Sequence, residues 1–476
     1  MKLDLPFHPL IFGILPLYHL YTENLVAVHP HELIIPVAII VLFVGLLYGI
    51  AILLSWDVRK TGIGLSVFFI WFFSYGFILQ FYNGVTLAGI GLANYPRYLI
   101  ALSILLLVCI LWLLRRPGWS PESPTRFLNI VGIVLLILTT LTLVVHISGV
   151  TSLKLNDRIG DGDLVPSTCT WNSSTARDVY YIVLDTYARG DVLEQFYNYN
   201  NSGFLSYLAG RGFRITTGSV ANYQDSKTSL ASSLNMEYLG NPADADHLLQ
   251  SIEYNRISRI FKEHGFTIIH FRSGFSVTER NAYADIVKNT EIPTPFHNKV
   301  VESTLLRYLI TIPNRRYAID NAFSDLSLVP EIGGKKFIFV HIASAVHPPY
   351  VIGEHGEWLF PRFGDEDYIN QLKYINGRVE DTIDRILSES ETPPIIIIQA
   401  DHGPRVVSGQ IRNVSLTMPI FNAYYLPDAE GAVVYDTITP VNSFRAILNK
   451  YYGCSYTILA DRSFYNDKWY EGDDIP

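Results

Sequence analysis

Hydrophobic and polar residues are distributed unevenly along this chain of 476 residues. Long apolar runs fill residues 1–150, whereas later apolar residues alternate with charged and turn-forming ones, as in a globular domain. Four runs are long enough to cross a bilayer, and a shorter fifth run is interrupted by prolines. They cover residues 33–55, 63–82, 98–114, 127–146 and, for the short one, about 6–20. The pattern predicts an N-terminal multi-span α-helical membrane domain of about five helices.

Basic residues in the short loops predict the orientation of these spans. Arg59 and Lys60 follow the second span, and Arg115, Arg116 and Arg126 lie between the fourth and the fifth. Because basic loops stay in the cytoplasm, five spans place the remainder of the chain on the outer face. We therefore expect a multi-pass protein of the plasma or inner membrane, with a linker at 151–176 and an extracytoplasmic domain at 177–476.

The pattern changes to that of an α/β domain after the linker. Short runs of β-branched and aromatic residues predict buried strands, and apolar residues at helical spacing predict a helix over 368–387. The strands are expected at 178–185, 266–271, 336–341, 394–400 and 419–426. Strands that alternate with helices predict a largely parallel central sheet.

Two of these strands end in acidic residues. The first ends at Asp185, and the four isoleucines at 395–398 lead to Asp401, His402 and Gly403. Open α/β sheets place ligand sites at such strand ends, so a metal could bind there. The plainer interpretation is that Asp401 caps a turn and that His402 is an ordinary surface histidine.

Charge and cysteine content exclude some classes of function. The net charge is −8 and the sequence contains no run of lysines and arginines, which argues against nucleic acid as a partner. Cys109 lies inside an apolar run, whereas Cys169 and Cys454 fall in the polar part of the chain. Those two could form one disulfide in an oxidising compartment.

A segment rich in hydroxyl groups lies between the two acid-tipped strands. Residues 222–235 read NYQDSKTSLASSLN, in which Ser226 or Thr228 is expected to be the N-cap of a helix. A hydroxyl at a helix N-terminus lies near backbone N–H groups that suit phosphate or sulfate oxygens. Such a serine is a candidate nucleophile, and simple capping is the alternative.

Four motifs in a fixed order resemble the sulfatase-like branch of the alkaline phosphatase superfamily. They are VYYIVLDTYARGD, SKTSLASSLN, FVHIASAVHPPY and IIIIQADHG, and five spans before the domain are similar to lipoteichoic acid synthases and phosphoethanolamine transferases. The resemblance implies an alkaline-phosphatase-like or sulfatase-like domain and a divalent metal held by Asp185, Ser226, Asp401 and His402. It also implies Ser226 as the nucleophile, with Tyr223 and Thr228 as alternative registers.

Further expectations follow from the resemblance and from departures from it. His347, in HPPY, matches a histidine that approaches the substrate or leaving group. Thr228 and Leu230 stand where formylglycine sulfatases need other residues, which disfavours sulfate-ester hydrolysis. One metal ion is expected, because Asp185 is followed by Thr186 rather than a second acid. Mixed oxygen and nitrogen ligands suit zinc or manganese, with magnesium as a further option.

The expected activity is transfer of a phospho-group, such as phosphoglycerol or phosphoethanolamine, through a covalent serine intermediate. The expected donor is a membrane lipid, and the expected acceptor is an envelope glycan or lipid. Arg405, Arg272 and Arg280 are candidates for binding phosphate oxygens, with surface ion pairs as the alternative. A phosphate- or sulfate-ester hydrolase on the same fold and an inactive scaffold or sensor remain the competing interpretations.

Overall fold

The computed structural model describes most of the chain and divides it into two compact units. The first unit is Met1–Gly160 with Thr294–Ile312, and the second is Asp161–Pro293 with Pro313–Pro476. The described residues are 4–25, 28–83, 86–87, 90–91, scattered positions from 101 to 116, 118–157, 169–171, 176–239, 245–290, 293–304, 306, 314–407, 410–411, 414–428 and 433–471.

Helices form most of the first unit and flank the sheet of the second. The α-helices of the described part are α1 His8–Thr22, α2 Ile34–Leu53, α3 Val58–Asn83, α4 Glu122–Asp157, α5 Gly190–Tyr197, α6 Ser202–Gly210, α7 Ser226–Asn235, α8 Ala245–Glu253, α9 Arg256–Glu263, α10 Pro295–Glu302, α11 Asn314–Ser327, α12 Asp365–Glu389, α13 Val414–Thr417 and α14 Pro440–Tyr452. Short 3-10 helices occur at Pro30–Leu33, Ser276–Thr278 and Val329–Glu331.

The first unit is a cluster of apolar helices. Its buried core comes from α1, α2 and α3, and a Cβ atom on Gly13 of α1 would lie 2.6 Å from Cγ2 of Ile40. Glycine at this position therefore lets α1 approach α2 closely. Helix α10 belongs to this unit, where the Nε2–H of His297 donates to the carbonyl of Glu32 at 3.1 Å.

Two helices in the described part are long and apolar enough to cross a membrane, at Pro30–Leu53 and Glu122–Ile147. They contain the predicted spans 33–55 and 127–146 almost entirely. Helix α1, with 15 residues, and helix α3 cover the predicted spans 6–20 and 63–82. The predicted span 98–114 lies largely outside the described residues. Helix α4 continues to Asp157, into the segment predicted as a linker, of which residues 158–168 and 172–175 lie outside the described part.

A mainly parallel sheet forms the centre of the second unit. Within the described residues its strands are β1 Val179–Leu184, β2 Phe213–Ile215, β3 Thr267–Phe271, β4 Ile286–Lys288, β5 Lys336–Ile342, β6 Ile395–Gln399 and β7 Asn422–Tyr425. Their order is β2-β7-β6-β1-β5-β3-β4, and β7 runs antiparallel to both of its neighbours. Short antiparallel pairs lie outside this sheet, at Thr86–Leu87 with Ile90–Gly91, Tyr350–Ile352 with Trp358–Arg362, Val406–Val407 with Gln410–Ile411, and Arg462–Tyr465 with Lys468–Glu471.

The apolar character of the central strands follows from burial on both faces. In β1, Tyr180 and Ile182 pack into one core cluster, whereas Tyr181 and Val183 pack into another on the opposite face. Successive side chains point to opposite sides of a sheet, so a strand covered on both sides needs an unbroken apolar run. This confirms the predicted α/β domain with a largely parallel sheet and its five predicted strands. The helix predicted at 368–387 is also confirmed, as α12.

Cys169 and Cys454 form a disulfide in the second unit. It connects the residues before β1 to the end of α14, where Trp171 stacks on Tyr452 with ring centroids 4.2 Å apart. Cys109 is an exposed free thiol. A pairing that the sequence left open is thus present in the structure.

Replacing Cys454 with serine should lower the thermal stability of the second unit. Loss of a disulfide that closes a long loop typically costs about 2–5 kcal/mol, because the unfolded chain gains freedom. The measurement is thermal unfolding of the full chain in detergent, with Cys109→Ser as the matched control, which should unfold like the unmodified protein. An unfolding midpoint of the unmodified protein that does not respond to reductant would contradict the assignment.

Candidate active site

The acidic residues at the ends of β1 and β6 lie side by side. The two strands are parallel neighbours, with Val183 opposite Gln399, so Asp185 and Asp401 emerge at the same edge of the sheet. Both carboxylates are held by backbone donors. Oδ2 of Asp185 accepts from the N–H of Ser344 at 2.8 Å, and Oδ1 of Asp401 accepts from the N–H of Thr186 at 3.2 Å.

The acceptor nitrogen of His402 lies close to both carboxylates. Its Nδ1–H donates to the carbonyl of Gly403 at 2.8 Å, which leaves Nε2 as the acceptor nitrogen. That Nε2 lies 3.9 Å from Oδ1 of Asp185 and 3.8 Å from Oδ2 of Asp401. Gly403 is required here, because a Cβ atom would lie 2.7 Å from the carbonyl oxygen of Leu416.

His341 is a site residue that the sequence interpretation missed. It lies near the end of β5, opposite Val183 of β1, and its Nε2 is 3.8 Å from Oδ2 of Asp401. Ligand atoms of Asp185, His341 and Asp401 all lie within 4.8 Å of one another. Its sequence signal is its position at the end of the predicted strand 336–341, which many buried histidines share.

A chain of hydrogen bonds determines which nitrogen of His341 carries the proton. The hydroxyl of Thr278 donates to Ser273 at 2.9 Å, so its oxygen accepts from Nδ1–H of His341 at 2.7 Å. Nε2 of His341 is therefore an acceptor. Burial lowers the pKa of His341, although Asp401 and Asp185 act in the opposite direction.

Two buried acceptors in this cluster lack donors and fit a divalent cation. Oδ2 of Asp401 and Nε2 of His341 are both buried without a hydrogen-bond partner, although they face each other. Leaving two buried acceptors unpaired is costly, and a cation between them would satisfy both. Burial raises the pKa of Asp185, but the nearby imidazoles of His347, His402 and His341 and the N–H of Ser344 lower it to about 2. The structure thus supports a divalent metal site.

Ser226 is the hydroxyl that the structure brings to His402. Helix α7 begins at Ser226, and its Oγ lies 3.4 Å from Nε2 of His402. The predicted N-cap was wrong, because Asp225 caps the helix by accepting from the N–H of Thr228 at 3.1 Å. Aspartate and serine are about equally good N-caps, and here the aspartate one residue earlier accepts this N–H. Ser229 fixes the same corner, because its Oγ donates to the carbonyl of Asp401 at 2.7 Å.

The two alternative nucleophiles make their hydrogen bonds elsewhere. The Tyr223 hydroxyl is paired with the backbone of Leu239, accepting from its N–H at 2.7 Å and donating to its carbonyl at 2.9 Å. The Thr228 hydroxyl donates to the carboxylate of Asp225 at 2.7 Å. Neither is among the residues that line the cavity at Ser226.

A cavity of about 470 Å³ opens above Asp185 and Ser226. His347 contributes to its wall, with Nδ1 bonded to the carbonyl of Pro348 at 2.7 Å. Arg405 also lines it and donates from Nη2 to Nε2 of His402 at 3.2 Å. The remaining lining residues are Asp225, Lys227, Leu249, Phe275, Ser276, Val277, Arg315, Ala343 and Ser344.

The three arginines proposed from the sequence lie in different surroundings. Arg405 lines the cavity, whereas Arg272 and Arg280 are not among its lining residues. Arg272 donates to Glu279 at 2.6 Å, and Arg280 lies 4.0 Å from Glu253. Arg315 was not proposed from the sequence, although it lines the cavity and donates to the carbonyl of Pro348 at 2.8 Å. Arg315 is placed there by its contact with the loop that carries His347, and no sequence motif marks that contact.

Among known proteins, the chain is similar to solved structures. No family model matches it, and no curated protein matches its sequence. The C-terminal periplasmic domain of EcEptC from Escherichia coli is 14% identical, with a TM-score of 0.46, over 66% of this chain and 97% of that domain. A protein in the alkaline phosphatase superfamily from Vibrio parahaemolyticus is 13% identical, with a TM-score of 0.45, over 65% and 79%.

A membrane protein is also among the similar structures. The integral membrane protein lipooligosaccharide phosphoethanolamine transferase A from Neisseria meningitidis is 13% identical, with a TM-score of 0.39, over 95% of both chains. At these identities the chemistry of this chain has to be inferred from its own side chains.

Proposed function

We propose that this chain is a membrane-anchored, metal-dependent transferase that moves a phospho-group from a phospholipid to a cell-envelope acceptor, with Ser226 as the nucleophile. One observation carries the proposal. The Ser226 hydroxyl lies 3.4 Å from Nε2 of His402, beside two carboxylates, at a cavity that two arginines and a second histidine also line. A hydroxyl, a cation site and cationic side chains in one cavity are the components that phosphoryl transfer requires.

The metal would be held by Asp185, Asp401 and His402, with His341 as a further nitrogen ligand. His402 would bind it through Nε2 in place of the hydrogen bond that this atom accepts from Arg405. Two carboxylates with neutral imidazole nitrogens favour zinc or manganese. When bound, such a cation lowers the pKa of a nearby hydroxyl and offsets negative charge on phosphate oxygens. The chain itself supplies the orientation, because backbone N–H groups hold both carboxylates and Gly403 fixes the ring of His402.

In the first proposed step the oxygen of Ser226 attacks the phosphorus of a phosphodiester. A bond from Ser226 Oγ to phosphorus forms, the bond from phosphorus to the lipid oxygen breaks, and the serine proton passes to solvent. His347 donates a proton to the departing oxygen, which leaves as the alcohol of a diacylglycerol. Arg405 would bind non-bridging oxygens, because its guanidinium matches their geometry. A phosphoserine diester remains on the chain.

The second proposed step reverses the first with a different alcohol. An acceptor hydroxyl attacks phosphorus, the bond from phosphorus to Ser226 Oγ breaks, and the acceptor proton passes to His347. Ser226 regains a proton from solvent, so the side chains return to their initial state. With water as the acceptor the same site would be a hydrolase, so the acceptor alone separates the two activities.

The membrane part supports a lipid donor and an extracytoplasmic location. Five predicted spans with basic cytoplasmic loops would place the second unit outside the cell, and two helices that meet the length and hydropathy of a span are present in the described part. The Cys169–Cys454 disulfide supports an oxidising compartment, because such bonds are rare in the cytosol. A chain anchored in a bilayer meets phospholipid at high local concentration.

The full chain in detergent, loaded with zinc, should convert a head-group-labelled phospholipid to diacylglycerol and a labelled product. In the presence of envelope glycan, label should appear on the glycan. If the head group is released to water both with and without the glycan, the protein is a hydrolase and not a transferase. Absence of both turnover and bound divalent cation would favour the inactive scaffold. The matched control is Arg280→Gln, which changes an arginine that does not line the cavity and should leave both products unchanged.

A further inference from the structure

We propose that Gln371 is a positioning residue for the transfer reaction, because its side chain holds the loop that carries His347. This inference rests on the proposed function. Gln371 projects from α12 and is 1% exposed. Both ends of its amide are bonded to backbone groups of residues 344–352, the segment here called the His347 loop. The side chain thus uses both donors and both acceptor sites of its amide on this loop.

The amide of Gln371 bonds the loop on both sides of His347. Its Nε2 donates to the carbonyls of Ser344 at 3.0 Å and Ala345 at 2.7 Å, before the histidine. Its Oε1 accepts from the N–H groups of Val351 at 2.9 Å and Ile352 at 3.2 Å, after it. A single side chain therefore closes the His347 loop at its base.

The hydrogen bond from Gln371 to Ser344 also connects this side chain to the carboxylate cluster. Ser344 has a φ of 67°, in the left-handed region that serine rarely adopts, and its N–H donates to Oδ2 of Asp185. Such a backbone conformation persists when neighbouring groups hold it. Gln371 holds the carbonyl of the same residue, and thus supports both the donor to Asp185 and the segment leading to His347.

Loss of these bonds should affect proton donation more than binding. A loop freed at its base lets His347 sample positions away from the leaving oxygen, and a displacement of about 1 Å can reduce the rate about 100-fold. The loss should depend on the leaving group. An alkoxide needs a proton as it leaves, whereas p-nitrophenolate leaves without one. A purely structural defect would reduce both reactions alike.

The test compares two phosphodiesters with zinc-loaded full chain. For Gln371→Leu we expect the single-turnover rate of diacylglycerol release from a fluorescent diacylglycerol phosphoethanolamine lipid to fall about 100-fold, with substrate binding nearly unchanged. The single-turnover rate of p-nitrophenolate release from bis(p-nitrophenyl) phosphate should fall less than about tenfold, because that step needs no proton from His347 and loses only the support of the Ser344 N–H to Asp185. His347→Ala should show the same selectivity. Equal losses on both substrates, or no loss on the lipid, would overturn the positioning role.

Two further variants separate positioning from folding. Gln371→Glu keeps the acceptor for Val351 and Ile352 but has no donor for the two carbonyls, so it should show an intermediate loss with the same selectivity. Asn376→Leu removes another buried amide of α12, which bonds Tyr187 and Asn201 and not the His347 loop. It should reduce the unfolding temperature without selectivity between substrates, and selectivity in this control would contradict the inference. Wild-type protein inactive on both substrates would instead refute the proposed function.

Discussion

Ser226→Ala should reduce turnover of the phospholipid donor by at least about 10³-fold while the bound metal is retained. The variant has no oxygen that can form the phosphoserine bond, so the two-step route is closed. The metal should stay, because Asp185, Asp401, His341 and His402 keep all their ligand atoms. Turnover is measured as diacylglycerol released from labelled lipid, and the metal by elemental analysis of the same samples.

Two matched variants check that the effect belongs to this hydroxyl. Ser226→Thr keeps a hydroxyl at the first position of α7 and should retain measurable turnover. Thr228→Val removes the hydroxyl that donates to the carboxylate of Asp225, and this variant should keep most of the turnover. If Ser226→Ala turned over lipid at a rate near that of the unmodified protein while Thr228→Val did not, the nucleophile would be Thr228.

Asp401→Asn should abolish the stabilisation of the chain by zinc. Oδ2 of Asp401 lies 3.8 Å from Nε2 of both His341 and His402, so the substitution removes the charged oxygen shared by two imidazoles. Ligand binding to the folded state alone stabilises it by about 2.7 kcal/mol at a concentration 100 times Kd. Thermal unfolding of the unmodified protein should therefore shift upward with zinc, whereas the variant should not respond.

The metal-free variant should be at least as stable as the metal-free unmodified protein. A neutral amide has a smaller desolvation cost than a buried carboxylate oxygen without a partner. The matched control is Asp178→Asn, whose carboxylate pairs with Lys336 at the opposite end of the sheet. That variant should lose stability with and without metal and should still respond to zinc. A zinc response in Asp401→Asn equal to that of the unmodified protein would place the metal elsewhere.

The strands and the strand-end acids were predictable from local sequence. An apolar run such as 395–398 needs burial on both faces wherever it occurs, and the residue after it must emerge at the sheet edge. Asp185 and Asp401 were therefore found without knowing which strands are neighbours. Their contact depends only on the parallel pairing of β1 with β6, which the alternation of strands and helices favours.

Residues whose role depends on distant parts of the chain were not predictable in this way. His341 ends an apolar strand like many buried histidines, and only the pairing of β5 with β1 brings it to Asp401. Arg315 and Gln371 bond the His347 loop from the helices before and after it in the sequence, and neither residue lies in a motif of its own. Arg272 could not be separated from Arg405, because its ion pair with Glu279 depends on how the loop after β3 folds back. The packing of α10 into the first unit also has no local sequence signal.

The most direct test of the central claim is peptide mass spectrometry of zinc-loaded full chain, quenched in acid after exposure to phospholipid without acceptor. We predict a phosphodiester adduct with the mass of the lipid head group on the peptide that contains Ser226, absent without zinc and absent from Ser226→Ala. An adduct that persists in Ser226→Ala, or lipid turnover with no adduct at any quench time, would contradict a covalent mechanism at Ser226.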